Sequence, residues 1–382
     1  MTSISPVPPT PPTPASRRLH ALDGLRGLAA FAVLLHHTAL TVPTFAAAYF
    51  GATSDATWEP GTLAWWAAHT PLHSLWDGEA AVMIFFVLSG FVLTLPVLHS
   101  RSFRWDAYLP QRFTRLYLPV WAALAFAILM ILITPRGTND DTEWLRRRPD
   151  HVTLEWVLQG LVQIGGGSEI LSPLWTIRWE ILFSLLLGLF VWAALRTNPA
   201  VMLVASLVLI GMGEVTDVKP LKYLPMFLIG VVLAVHRDAF STRLGAVSRR
   251  GWITALAITP VLVASPWMLP PIVPEAVRES AIVLQVAGAV LIVAACAFGF
   301  PDSRFLGSRA VQWLGRVSFS LYLVHETIVI TCADLLGPDR HVLMALIVIP
   351  VSLLVAQLFF VAIERPCHRL ARRVHAGFAD AR

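Results

Sequence analysis

The chain has 382 residues, 56% of them apolar and 14% charged, with a formal net charge of +5. Soluble domains carry roughly 25% charged residues, so this composition, with a mean hydropathy of +0.66, excludes a disordered chain, a nucleic-acid binder with a broad basic face and most soluble enzymes. It implies an all-α polytopic integral membrane protein whose surroundings are the lipid bilayer and which has no nucleic-acid partner.

In chain order, Pro6, Pro8, Pro9, Pro11, Pro12 and Pro14 predict an extended tail over 1–18. It lacks the early positive charge and short apolar core of a signal peptide. Residues 19–366 read as one transmembrane domain and 367–382 as a basic tail. The domain holds ten apolar stretches: 27–43, 80–99, 116–134, 174–195, 199–214, 221–236, 251–269, 279–299, 315–335 and 341–363. A span takes roughly 20 apolar residues, which makes the fifth and sixth short. Lipid leaves open backbone groups unsatisfied, so all ten are expected to be helical. With the N-terminus inside, 20 of the 29 Lys and Arg residues fall on inner segments and 8 on outer ones, with Arg178 inside a span. That bias predicts both termini in the cytoplasm and a multi-pass protein of the cell's inner (plasma) membrane.

The longest outer segments are 44–79 and 135–173. Their Trp58, Trp65, Trp66, Trp76, Trp144 and Trp156 suit an acceptor with a sugar or other ring. Gly165-Gly166-Gly167 reads as a hinge or turn. His69 and His73 are spaced i, i+4, but no complete set of metal ligands appears, so no metal is expected. Cys296, Cys332 and Cys367 suggest neither a metal site nor a disulfide framework.

Ionisable residues inside spans are costly and are therefore functional candidates. Arg26 and His37 lie eleven residues apart, which places them on one helix face, separated by roughly 16 Å along the axis. Such a helix would hold an anionic head at the arginine and do chemistry at the imidazole. Arg112 and Arg115, one turn apart, add two phosphate-matching guanidiniums at the same interface. A positive-inside anchor with a structural histidine is the plainer alternative. Ser89-Gly90 suits either a catalytic pair or close helix packing. His325, with Tyr322 one turn before it and Glu326 beside it, suits a helix–helix hydrogen bond, a substrate contact or a second proton carrier. Glu180 could orient a histidine, bind a hydroxyl or pair with Arg178. Trp175 and Trp179 share a face, as interfacial anchors or as a wall for a sugar ring. Glu364-Arg365-Pro366 reads as a helix stop with a local ion pair.

Six segments in this order, LDGLRGLAAFAVLLHH, IFFVLSGFVLT, RFTRLYLPV, LWTIRWEILF, LGRVSFSLYLVH and IERP, run from residue 22 to 366. Together they resemble acyltransferase family 3, the membrane-bound O-acyltransferases that include bacterial polysaccharide O-acetylases and macrolide acyltransferases. The resemblance implies transfer of an acyl group, commonly acetyl from acyl-CoA, to a hydroxyl. His37 matches the family's essential histidine, and Arg26, Arg112 and Arg115 match its arginines. Ser89, Gly90 and Phe91 match its SGF element, and Glu180 its acidic residue after the tryptophan. Arg178 stands where a small residue is usual and Phe319 where tyrosine is frequent; both bear on the acceptor side. No fused hydrolase-like domain is expected after the tenth span.

The resulting expectation is an O-acyltransferase with acyl-CoA, acetyl-CoA above all, as co-substrate and a glycan or glycosylated small molecule as acceptor. Its catalytic set would be His37, Glu180 and His325, with Arg26, Arg112 and Arg115 on the donor. Ser89, Trp175, Trp179 and Tyr322 would contact substrate. His37 would act as general base or be acylated itself. The alternative is a proton-coupled transporter or flippase with His37, His325 and Glu180 as relay, although no internal repeat supports it.

Overall fold

A computed structural model describes residues 14–50, 59–100, 103–137, 141–163, 169–299 and 303–380. Residues 1–13, Trp58 and Gly165 to Gly167 lie outside them. The first helices are α1 (Pro14–Ala39), α2 (Pro43–Phe50), α3 (Leu63–Ala68), α4 (Gly78–His99) and α5 (Trp105–Ile133). Short α6 (Glu143–Arg146) and α7 (Leu154–Val162) precede α8 (Trp175–Arg196), α9 (Pro199–Val215) and α10 (Lys219–Val235). Next come α11 (Arg237–Gly245), α12 (Arg249–Ala257), α13 (Thr259–Met268), α14 (Glu275–Ser280) and α15 (Ile282–Ala294). The last are α16 (Arg309–Leu336), α17 (His341–Phe359) and α18 (Arg365–Asp380). No strand occurs among the described residues.

Each of the ten apolar stretches falls on helix, but not every one is a straight span. Among the described residues, seven continuous helical segments are long and apolar enough to cross a membrane. Two more qualify only as bent pairs, α1 with α2 at 104° and α10 with α11 at 78°, and α9 is shorter. The first stretch breaks where the threonines turn inward on the chain: Thr38 donates to the Leu34 carbonyl (2.8 Å) and Thr41 to the Thr38 carbonyl (2.7 Å), and Pro43 opens α2. Such back-bonding competes with the helical ladder. His37 therefore sits in the last turn of α1. Helix α4 starts at Asp77, whose carboxylate accepts the Ala80 N–H at 2.9 Å as an N-cap.

Two glycine contacts bring the site-bearing helices together. A Cβ on Gly27 would lie 2.4 Å from the Gly315 nitrogen, and one on Gly90 would lie 2.1 Å from the Phe227 carbonyl oxygen. Backbone therefore meets backbone between α1 and α16 and between α4 and α10, as small residues permit in membrane helices. Hydrophobic clusters on both sides of α1 complete the packing. The sequence expectation of a helix stop at Glu364-Arg365-Pro366 is corrected. The chain passes through a π-helical turn at Phe360–Glu364 directly into α18, which packs along α5. Pro366 has no N–H to give the α-helical ladder, and the π-helical turn just before it is where the ladder changes register.

Candidate active site

A cavity of about 390 Å³ lies between α1, α4, α5, α8, α16 and the turn entering α18. One end is cationic. Arg26, Arg112, Arg115 and Arg316 line it, with the His368 imidazole among them. The three expected arginines have different duties. Arg112, 8% exposed, is ion-paired to Glu180 and donates from Nε to Ser184 Oγ at 3.2 Å. Arg26 pairs with Asp23 at 3.2 Å. Arg115 makes no hydrogen bond or ion pair among the described residues, so its guanidinium is available to a ligand anion.

Glu364 also lines this end. Its Oε2 accepts from the Ser320 backbone N–H (3.2 Å) and the Ser320 hydroxyl (2.5 Å), while Oε1 lies 3.5 Å from His368 Nε2. The expected local ion pair with Arg365 is absent; the carboxylate instead ties the end of α17 to α16. Sequence reasoning did not select Glu364 or His368 as site residues. A carboxylate at the end of an apolar span was the available signal for the first.

Toward the other end the lining turns apolar. Ser89 faces the cavity with no hydrogen-bond partner among the described residues, while its neighbour Gly90 makes the α4–α10 contact. The Ser-Gly element thus divides into one cavity-facing hydroxyl and one packing position. Tyr322 lines the far end, its hydroxyl donating to the Pro173 carbonyl at 3.0 Å and lying 2.9 Å from Thr176 Oγ1. Trp175 and Trp179 do not line the cavity. Both pack on Tyr223 with ring centroids 5.1 Å apart, and Arg178 lies 4.5 Å over Trp179. Glu180 pairs with Arg112 rather than Arg178, and makes no hydrogen bond to either candidate histidine.

The histidines lie just past Tyr322, whose ring is 5.9 Å from that of His325. His37 Nδ1 and His325 Nε2 are 2.8 Å apart, and the two rings are within 7° of parallel with centroids 5.0 Å apart. That separation is what an in-plane bond between ring edges requires. His325 Nδ1 lies 2.9 Å from the Leu321 carbonyl. A carbonyl only accepts, so Nδ1 of His325 carries the proton, and the neutral ring presents a lone pair at Nε2. His37 then donates from Nδ1, which leaves its own Nε2 unprotonated and free to take a proton. His36 points elsewhere and donates from Nδ1 to the Trp76 carbonyl at 3.1 Å.

The segment between α5 and α8 closes over this pair. Trp144, only 3% exposed, packs against His37 at 5.3 Å, so it is no open platform for a ring. Glu326, next to His325, holds Arg148 at 2.8 Å and accepts the Ser172 N–H at 2.7 Å. His69 and His73 are buried, and no group of three or more potential metal ligands occurs among the described residues.

Six of the ten expected site residues thus share one cavity, and two more form a hydrogen-bonded pair next to Tyr322 at its far end. A family model described as an acyltransferase domain, that of acyltransferase family 3, matches residues 19–361. The chain belongs to this family. It is a membrane acyltransferase, and its cavity, histidine pair and Ser-Gly element all lie on helices within the match, whereas Glu364 and His368 lie beyond it. No curated protein matches, and no solved structure does.

Proposed function

We propose that this acyltransferase moves an acetyl group from acetyl-CoA to a hydroxyl of a carbohydrate or other hydroxyl-bearing acceptor, with His37 as general base. The observation that carries the reading is the in-plane His37–His325 bond, anchored at Leu321, which leaves His37 Nε2 as a fixed proton acceptor. Nε2 takes the acceptor's proton as the oxygen attacks the thioester carbonyl. The C–S bond then breaks, and the CoA thiolate recovers the proton from the imidazolium. Such a base contributes about 10²–10⁴-fold in rate. No metal is needed for this route.

The donor reading rests on the cavity. Its lining on α4 extends from Leu93, toward the arginine end, to Val82. Eleven residues of helix cover roughly 16 Å, the same length that separates Arg26 from His37 along α1. An extended pantetheine arm lying along α4 would bring its phosphates to Arg115 and Arg26 and its thioester to Tyr322. The arginine bias supports a reading in which that mouth, both termini and α18 face the cytoplasmic side of the inner membrane. In this reading ten membrane crossings make up one acyltransferase domain over 19–366. Glu180 holds Arg112 in the donor site, and His325 positions the base.

The test is release of free CoA from acetyl-CoA by the purified chain in lipid discs, with a panel of glycans and glycosylated small molecules. Acceptor-dependent release is expected. Folded protein that neither binds CoA nor releases it with any acceptor would refute the proposal.

A further inference from the structure

The far end of the cavity is a wall built to stay in place. Phe85 is half-buried and packs against both hydrophobic clusters, so it spans the seam between them. Its ring meets Tyr322 edge-on at 5.8 Å and 71°. Tyr322 is 6% exposed and cannot swing aside without breaking its bond to Pro173. The Pro173 segment is held in turn, because its neighbour Ser172 is bound through backbone and side chain to buried Glu326. On the other flank Phe86 lies against Phe227 at 4.5 Å, and Val82 is 7% exposed. A group arriving from the arginine end therefore meets aromatic rings fixed from two directions, with the His325 ring 5.9 Å from that of Tyr322.

This bears on a question that the reaction class leaves open. A thioester presented at Tyr322 points its acyl carbons at this wall. Each added methylene would need space that Phe85 and Tyr322 fill, and close-packed side chains resist added volume. We propose that Phe85 and Tyr322 set the length of acyl group this enzyme accepts, closing the donor cavity so that short chains of about two to three carbons are seated and longer ones are excluded. Phe85 is the adjustable member. Its ring has no polar anchor, whereas Tyr322 is hydrogen-bonded and adjoins the base's partner. The proposal rests on the acyl-CoA reading above and adds to it the selection of the acyl group.

The experiment uses the full chain in lipid discs and non-hydrolysable thioethers of CoA carrying S-ethyl, S-butyl or S-hexyl groups, with unmodified CoA as reference. Longer chains also partition into the disc, so the quantity read is the S-hexyl to S-ethyl ratio of Kd in each variant relative to wild type. Wild type is expected to bind CoA and S-ethyl-CoA similarly and S-hexyl-CoA at least tenfold more weakly. Phe85→Ala should reduce that ratio to threefold or less. Phe85→Leu, which keeps an apolar filler, should fall between and guards against a misfolded alanine variant. S-hexyl-CoA bound by wild type as tightly as S-ethyl-CoA, or an unchanged ratio in a folded Phe85 variant, would overturn the selector while leaving the donor reading intact. Folded wild type that fails to bind CoA itself would refute the donor reading and the selector with it.

Discussion

Replacing His325 by leucine probes the arrangement on which the proposed chemistry depends. His325 Nε2 is the acceptor for His37 Nδ1–H at 2.8 Å, and leucine offers none. A buried donor left without its partner costs about 1–3 kcal/mol. The productive orientation of His37 is disfavoured by that amount, and at 1.36 kcal/mol per tenfold in rate kcat should fall about 5- to 150-fold. Neither histidine lines the cavity proposed for the donor, so the KM for acetyl-CoA should stay within twofold. His325→Gln, whose carboxamide oxygen can accept the same hydrogen bond, should recover part of the loss. The assay is CoA thiol release with a saturating acceptor, run beside thermal unfolding to confirm folding. A leucine variant with kcat within twofold of wild type, or one whose whole defect lies in KM, would refute the reasoning.

Four further outcomes follow from the structure. Arg115→Ala should unfold at the wild-type temperature yet bind CoA at least tenfold more weakly. Arg112→Ala should destabilise the protein, because it strands Glu180; the cost should sit at the low end of the about 3–5 kcal/mol for breaking a buried pair, since that carboxylate is 21% exposed. In the Ser-Gly element, Gly90→Ala must push α4 from α10 by about 1 Å to relieve its 2.1 Å contact and should lower the unfolding temperature, whereas Ser89→Ala should leave it unchanged. Finally, burial pushes the Asp77 carboxyl up to about 7 from 3.8, with Gln285 bonded at 2.8 Å. The folded chain keeps a proton there that the unfolded chain has lost, so stability should decline as pH rises from about 4 through 7. Asp77→Asn should flatten that decline in thermal unfolding scans.

Much of this was legible in the sequence because the signals are local. Long apolar runs specify helices wherever lipid leaves no other backbone partner. Arginines at helical spacing fall on a common face, and Arg26, Arg112 and Arg115 do meet in one cavity. The shortfalls lie where partners come from distant segments. In sequence Glu180 suits a histidine, a hydroxyl or neighbouring Arg178, but its partner Arg112 is 68 residues away. Trp175 and Trp179 share a face as their spacing requires, yet that face meets Tyr223 on α10 instead of the cavity. Trp144 reads in sequence as a loop tryptophan suited to an acceptor ring, and only the fold brings it onto His37. In sequence Glu364 reads as part of a helix stop, because proline follows two residues later. Its tie to Ser320, 44 residues earlier, cannot be read from either segment alone.

The most direct test of the account is steady-state acetyl transfer by wild type and His37→Ala in lipid discs, with equilibrium CoA binding measured on the same preparations. The account predicts that His37→Ala loses about 10²-fold or more in kcat while binding CoA as wild type does, because His37 lies outside the cavity proposed for the donor. Turnover unaffected by loss of that imidazole would contradict the assignment of His37 as the base.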